Sequence, residues 1–177
     1  MYPPREDTFL LLQKAQSEIQ PDDLVLEVGT GSGYIASALH GCRLIIGTDI
    51  NPHAVMQAKS RGAYVIRTDI AAGIKRIFTL ILFNPPYIPT RPEERCDDWL
   101  EYALDGGPDG RGPLKRFLVQ IPDLLIPKGR VLVLISSLQE FDTCEAVFRE
   151  NRYSYEIIGN KVLEDGEELR VYRLKGK

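Results

Sequence analysis

Asn84-Pro85-Pro86-Tyr87 is the segment whose residue types say most about chemistry. A planar NH₂ group is a poor nucleophile, because its lone pair is delocalised into the ring or carbonyl that bears it. The Asn84 side-chain oxygen and the Pro85 carbonyl could each accept one N–H of such a group, turning the nitrogen lone pair toward an electrophilic methyl group. Pro85 and Pro86 fix the backbone that carries these acceptors, and Tyr87 could stack on the plane of the substrate. No general base is needed first, since the nitrogen can lose its proton after gaining the methyl. As a structural element alone, the tetrapeptide would be a rigid turn at a strand end.

A second segment, Leu24-Val25-Leu26-Glu27-Val28-Gly29-Thr30-Gly31-Ser32-Gly33, places an apolar strand directly before three alternating glycines that open a helix. Gly29 and Gly31 let the backbone approach a ligand closely, and the helix start adds oriented N–H donors. A nucleotide-like cofactor is expected, although Gly31-Ser32-Gly33-Tyr34-Ile35-Ala36 also satisfies the dinucleotide pattern. Asp49, roughly 20 residues beyond Glu27, suits a carboxylate that accepts both ribose hydroxyls. It could equally cap the helix opening at Asn51-Pro52. Asp69-Ile70 could meet an adenine edge through side chain and backbone N–H, or form an ordinary post-strand turn.

These residues need a scaffold that brings strand ends together. Asp7 or Thr8 is expected to cap a helix running to about Ile19, with Phe9, Leu12, Ala15 and Ile19 at helical spacing, before Pro21-Asp22-Asp23 ends it. Apolar runs at Leu24–Val28, Leu44–Asp49, Ala63–Arg67 and Phe78–Phe83 then alternate with helical stretches at Gly33–His40 and Pro52–Ser60. That βαβαβ order predicts a Rossmann-like α/β core, a mostly parallel sheet with helices on both faces. Residues 85–113 are rich in proline and glycine and read as a long functional loop. A helix over Leu114–Leu125, a strand over Val131–Ile135 and a helix over Glu140–Glu150 follow. Tyr153–Ile158 and Leu169–Leu174, separated by Gly159–Glu168, predict an antiparallel pair at the sheet edge.

Composition narrows the class. The 177 residues fit one domain, with 22 basic against 25 acidic side chains, a net charge of −3 and a pI near 5.5. That balance argues against a broad phosphate grip on nucleic acid. Cys42, Cys96 and Cys144 lack any Cys-x-x-Cys spacing, so neither a disulfide framework nor a metal site is suggested and a reducing compartment is expected. No apolar run approaches the ~18 residues that would span a bilayer, and Met1-Tyr2-Pro3-Pro4-Arg5-Glu6-Asp7 lacks the order of a signal peptide, so a cytoplasmic location is expected. His40 and His53 have no clear catalytic partner. Trp99 divides between loop packing and substrate contact, and Lys175-Gly176-Lys177 reads as a solvated tail.

Glu27-Val28-Gly29-Thr30-Gly31-Ser32-Gly33 together with Asn84-Pro85-Pro86-Tyr87 resembles the class I S-adenosylmethionine-dependent methyltransferases that modify planar nitrogen atoms. Tyr2, Pro4, Glu6-Asp7-Thr8-Phe9-Leu10-Leu11, Thr48-Asp49-Ile50-Asn51-Pro52 and Gly106-Gly107-Pro108-Asp109-Gly110 look like the HemK family, in its short archaeal and eukaryotic branch. The likeness runs from Tyr2 to the last strand. Pro3 and Arg5 depart from the commoner family choices, and Arg91–Leu100 has no match. The resemblance implies a seven-stranded sheet with a C-terminal antiparallel hairpin, and N5-methylation of the glutamine in the Gly-Gly-Gln motif of a class I translation release factor. It implies cofactor contacts at Thr8, Glu27, Gly29, Asp49, Asp69, Ile70 and Asn84, with Asn84 and Pro85 holding the substrate amide. It further implies a single methyltransferase domain over 1–177, in which 1–20 folds over the cofactor and 85–113 serves the substrate. A small zinc-binding activator would pair with the edge strand Ala63–Arg67, whose Tyr64, Val65 and Ile66 suit either an interface or plain edge packing.

Other chemistries share the tetrapeptide. An exocyclic amino group of adenine or guanine is one, although such bases must be flipped out and held through phosphates. A protein lysine is another. A non-catalytic scaffold and a nicotinamide-dependent reductase would both leave Asn84–Tyr87 unexplained.

Overall fold

The computed structural model describes residues 3–75, 77–91, 93, 99 and 103–176. Tyr2, Cys96, Leu100, Lys177 and the middle of the 85–113 loop lie outside the described residues.

Seven strands form one sheet in the order β3-β2-β1-β4-β5-β7-β6. They are β1 (Leu24–Val28), β2 (Leu44–Asp49), β3 (Tyr64–Arg67), β4 (Phe78–Phe83), β5 (Leu125–Ser136), β6 (Tyr153–Val162) and β7 (Glu168–Gly176). The first five run parallel, and β7 inserts antiparallel between β5 and β6. The expected Rossmann-like sheet with a C-terminal antiparallel hairpin is therefore what the chain builds. The helices are α1 (Glu6–Glu18), α2 (Tyr34–Ala38), α3 (Pro52–Ser60), α4 (Gly112–Gln120) and α5 (Phe141–Glu150).

Strand alternation sorts the core into two layers. Ile81, Phe83, Val131 and Val133 meet Phe117, Leu118 and Phe148 of α4 and α5, while Leu80, Leu82, Leu132 and Leu134 meet Leu10, Leu11 and Ala15 of α1 and Ile35 of α2. Each fully buried Leu, Ile, Val or Phe side chain among these contributes roughly 1.5–3 kcal/mol relative to exposure, and Ala15 less. Glu27 shares the face of Val25, and the backbone beyond Leu82 delivers Asn84 to the layer covered by α1.

Several boundaries differ from expectation, each for a local reason. Arg5, not Asp7 or Thr8, occupies the N-cap of α1, so both residues fall in the first helical turn. There a carboxylate opposes the helix dipole, and the Asp7 side chain is drawn to other partners. The stretch expected as a helix to Leu125 stops at Gln120 and continues as a 3-10 turn over Ile121–Asp123, because Pro122 has no N–H to give. β5 begins at Leu125 rather than Val131: Leu125 pairs with Phe78, and a register shift accommodates the intervening residues. β6 extends to Val162, with a second register shift absorbed at Gly159.

Candidate active site

The carboxyl ends of β1, β2 and β4 open onto one cavity of about 1040 Å³. Gly29, Gly31 and Gly33 follow β1 with φ of +66°, +55° and +74°, the left-handed region that glycine enters without a Cβ clash. A Cβ at Gly33 would sit 2.8 Å from that of Ala58, so the turn packs directly on α3, whereas nothing lies within 4 Å of one at Gly31. The loop is tied to the next strand twice. Thr30 N–H donates to the Thr48 carbonyl at 2.8 Å, and Gly31 N–H donates to Asp49 Oδ2 at 2.8 Å.

Two carboxyls stand under this loop. Glu27 is 5% exposed and accepts a hydrogen bond from Thr30 Oγ1 at 2.6 Å. Burial pushes its carboxyl up to about 8, against the pull of the Thr30 hydroxyl and the Ala36 N–H, and with a further push from Asp49. Burial also raises Asp49, while N–H donors from Asn51, Gly31 and Ile50 hold it back. The capping role weighed for Asp49 belongs to Asn51, whose side chain accepts from His53 N–H at 2.9 Å.

Beyond β3, Asp69 pairs with Arg116 of α4 at 2.8 Å, a contact across the cavity mouth that sequence spacing did not suggest. Ile70 adopts φ +55°, an uncommon state for a β-branched residue, and its carbonyl accepts from the buried Thr48 hydroxyl at 2.6 Å.

Asn84 leaves β4 with its amide already oriented. Nδ2 donates to Asp7 Oδ2 at 3.1 Å, while Oδ1 is buried and, among the described residues, receives no hydrogen bond. Asp7 is 3% exposed, and its Oδ1 accepts from Thr8 N–H at 2.6 Å. The glycine-rich segment braces the tetrapeptide from behind. A Cβ at Gly110 would lie 2.6 Å from the Tyr87 carbonyl, the Gly110 carbonyl accepts from Gln139 Nε2 at 2.8 Å, and Ile88 bridges Asp105.

Thr8, Glu27, Gly29, Gly31, Asp49, Asp69, Ile70, Asn84, Pro85, Pro86 and Tyr87 all line this cavity, as does Trp99. His40 and His53 do not. Asp7 and Arg116 are two of the lining residues that sequence spacing does not point to: a helix-start acid carries no mark of a contact made 77 positions away. Among the described residues, no cluster of His, Cys, Asp or Glu could hold a metal ion, and no helix is long and apolar enough to cross a membrane.

Glycine turn, strand-end carboxylates and an orphaned amide oxygen in one cavity suit an adenosyl ligand that also carries positive charge. Open space at Gly31 admits the ligand, and the two carboxyls match its charge. Fold and site together define a class I methyltransferase whose cofactor is S-adenosylmethionine.

A family model for ribosomal protein L11 methyltransferase (PrmA) matches residues 5–64. The chain is 41% identical to a putative protein N5-glutamine methyltransferase of Methanocaldococcus jannaschii, over 78% of this chain and 73% of that one. It is 38% identical to the human methyltransferase HEMK2, over 73% of this chain and 68% of that one. The solved Mtq2-Trm112 complex of E. cuniculi, responsible for methylation of the eRF1 translation termination factor, is similar in structure with a TM-score of 0.81. It is 25% identical, with 99% of this chain and 98% of that one covered. The chain belongs to the HemK family of protein N5-glutamine methyltransferases.

Proposed function

We propose that this protein methylates the side-chain nitrogen of the glutamine in the Gly-Gly-Gln motif of a class I release factor, in the cytoplasm. The observation that carries the reading is the buried Oδ1 of Asn84, which has no hydrogen-bond partner among the described residues and lines the cavity together with Pro85. Two acceptors on adjacent residues match the two N–H groups of one primary amide. When bound, S-adenosylmethionine supplies a methyl group on a sulfonium whose charge disappears as the methyl leaves.

The chain itself aligns the reactants. Thr8, Gly29 and Gly31 would close around the cofactor, Asp49 would accept from its ribose, and Asp69 with the Ile70 N–H would meet its adenine. Glu27 and Asp49 favour the cationic ligand electrostatically. Asn84 Oδ1 and the Pro85 carbonyl draw on the substrate N–H groups, which localises the lone pair on nitrogen and aims it along the transfer line. Tyr87 covers the amide plane. The nitrogen would gain its methyl as the carbon leaves the sulfonium sulfur and would then release a proton to water, so no buried base is required.

The β3 edge supports a partner. Tyr64 and Ile66 are 69% and 45% exposed on the edge strand, which pairs with β2 on one side and, among the described residues, with no strand on the other, and Met56 of the neighbouring α3 is 60% exposed. A small zinc-binding activator of the Trm112 kind fits there by strand addition.

The test incubates the protein, with and without such an activator, with isotopically labelled S-adenosylmethionine and the cognate release factor, followed by peptide mass spectrometry. One methyl on the Gly-Gly-Gln glutamine is the expected result. A cofactor-binding protein that leaves this glutamine unlabelled would move the assignment to a nucleic-acid amino group or a lysine.

A further inference from the structure

We infer that Asp7 is a positioning residue that locks the Asn84 amide in the one orientation able to receive a substrate N–H. The inference deepens the proposed function and rests on its reading of Asn84 as the acceptor of a planar nitrogen. An asparagine amide is nearly symmetric in shape and opposite in chemistry at its two ends: the oxygen accepts and the NH₂ donates. Rotated by half a turn, Asn84 would present NH₂ to the NH₂ of a substrate amide, donor against donor. The tetrapeptide contains nothing that forbids this rotation.

Asp7 forbids it. A carboxylate accepts hydrogen bonds and does not donate them. Its Oδ1 is occupied by the Thr8 N–H at 2.6 Å and the Thr8 hydroxyl at 3.2 Å, and its Oδ2 accepts Asn84 Nδ2 at 3.1 Å. A rotated Asn84 would set its oxygen against Asp7 Oδ2 in a place that leaves Asp7 3% exposed, where water cannot relieve the clash. Asn84 Oδ1 is consequently held away from Asp7 and, among the described residues, has no hydrogen-bond partner. Leu10 and Leu11 bury in the core and anchor the helix that carries Asp7. The site is thereby acceptor-only toward the reacting group. It discriminates a glutamine, which brings two N–H donors, from a glutamate, which brings none.

The decisive readout is independent of turnover. In ¹⁵N-labelled full-length protein, the Asn84 side-chain amide resonance is identified by its loss in Asn84→Ala. Asp7→Ala is expected to shift that resonance and to speed its hydrogen exchange about tenfold or more. In the methyl-transfer assay, Asp7→Ala is expected to lower kcat about 10- to 100-fold while calorimetric affinity for S-adenosylmethionine stays within about threefold. The nearly isosteric Asp7→Asn offers one acceptor and one donor, tolerates both Asn84 orientations, and is expected to lose kcat several-fold with the fold intact.

An unchanged Asn84 resonance and exchange rate in Asp7→Ala would overturn the inference. So would full kcat in Asp7→Asn, or a loss accounted for by weaker cofactor binding alone. If wild-type protein leaves the release factor unmethylated, the substrate assignment fails, while the amide resonance still decides the role of Asp7.

Discussion

Thr30 Oγ1 donates to Glu27 Oε2 at 2.6 Å across the turn that closes β1, in a wall that hides the Glu27 carboxyl from water. Burial lifts this group from its ordinary 4.5 to about 8. Folded, cofactor-free protein then holds a proton that the unfolded chain has lost between those pH values. The contribution is fully present below about pH 4.5 and declines as pH rises through about 8. In this window stability falls by on the order of 1 kcal/mol per pH unit. Denaturant unfolding of wild type against Glu27→Gln should show this slope in the first and lose it in the second.

Cofactor binding pulls the same proton in the other direction. A cationic ligand favours ionised Glu27, so binding near pH 7 should release protons. Calorimetric titration with S-adenosylmethionine in buffers of different ionisation enthalpy reads this directly. Identical heats in phosphate and Tris would refute the linkage.

Asn84→Ala removes the acceptor and leaves the glycine turn and both carboxyls in place. Turnover should fall by about 100-fold or more, with cofactor affinity changed by less than about threefold. An active Asn84→Ala enzyme would refute the role assigned to the amide oxygen.

Asp49→Ala should act in the opposite sense. It deletes the carboxyl proposed to accept from the ribose hydroxyls and the anchor of Gly31 N–H at 2.8 Å, so cofactor Kd should rise about 10- to 100-fold. An unchanged titration would exclude the ribose assignment.

At Gly33 a methyl group meets two penalties, φ of +74° and an Ala58 Cβ at 2.8 Å. Gly33→Ala should destabilise the fold by about 2–4 kcal/mol, visible as a lowered Tm. A variant as stable as wild type would mean that α2 and α3 can separate without cost.

Tyr64→Lys and Ile66→Lys should leave the isolated protein within about 0.5 kcal/mol of wild type, since both side chains are already exposed. Co-purification with a Trm112-like activator should be lost. Retained pairing would move that interface off the β3 edge.

The parts legible in the sequence were those set by local pattern. β1, β2, α3 and β4 start and stop where expected because largely apolar runs or a Pro-opened helix meet Gly29, Asp49, Ser60 or Asn84-Pro85 at their ends. The first half of β5 and the end of β6 are hidden, since Lys128 and Gly129 carry no strand signature and lie in the register shift between Leu125 and Arg130, while Asn160 and Lys161 are recruited by pairing with Arg170 and Leu169 of β7. The glycine turn and tetrapeptide could be read because each does its work within a few consecutive residues. Asp7 with Asn84, and Asp69 with Arg116, are contacts between distant segments, which spacing along the chain does not encode.

The helix that carries Asp7 is fastened to the far end of the chain: Glu18 pairs with Arg173 of β7 at 2.8 Å, and Glu6 with Lys161 of β6. A ribosome makes α1 before these strands, so neither ion pair can close until β6 and β7 have been synthesised. Packing of Leu10, Leu11 and Ala15 against β4 and β5 can seat the helix before then. The ion pairs with β6 and β7 then tighten a helix already laid on the sheet.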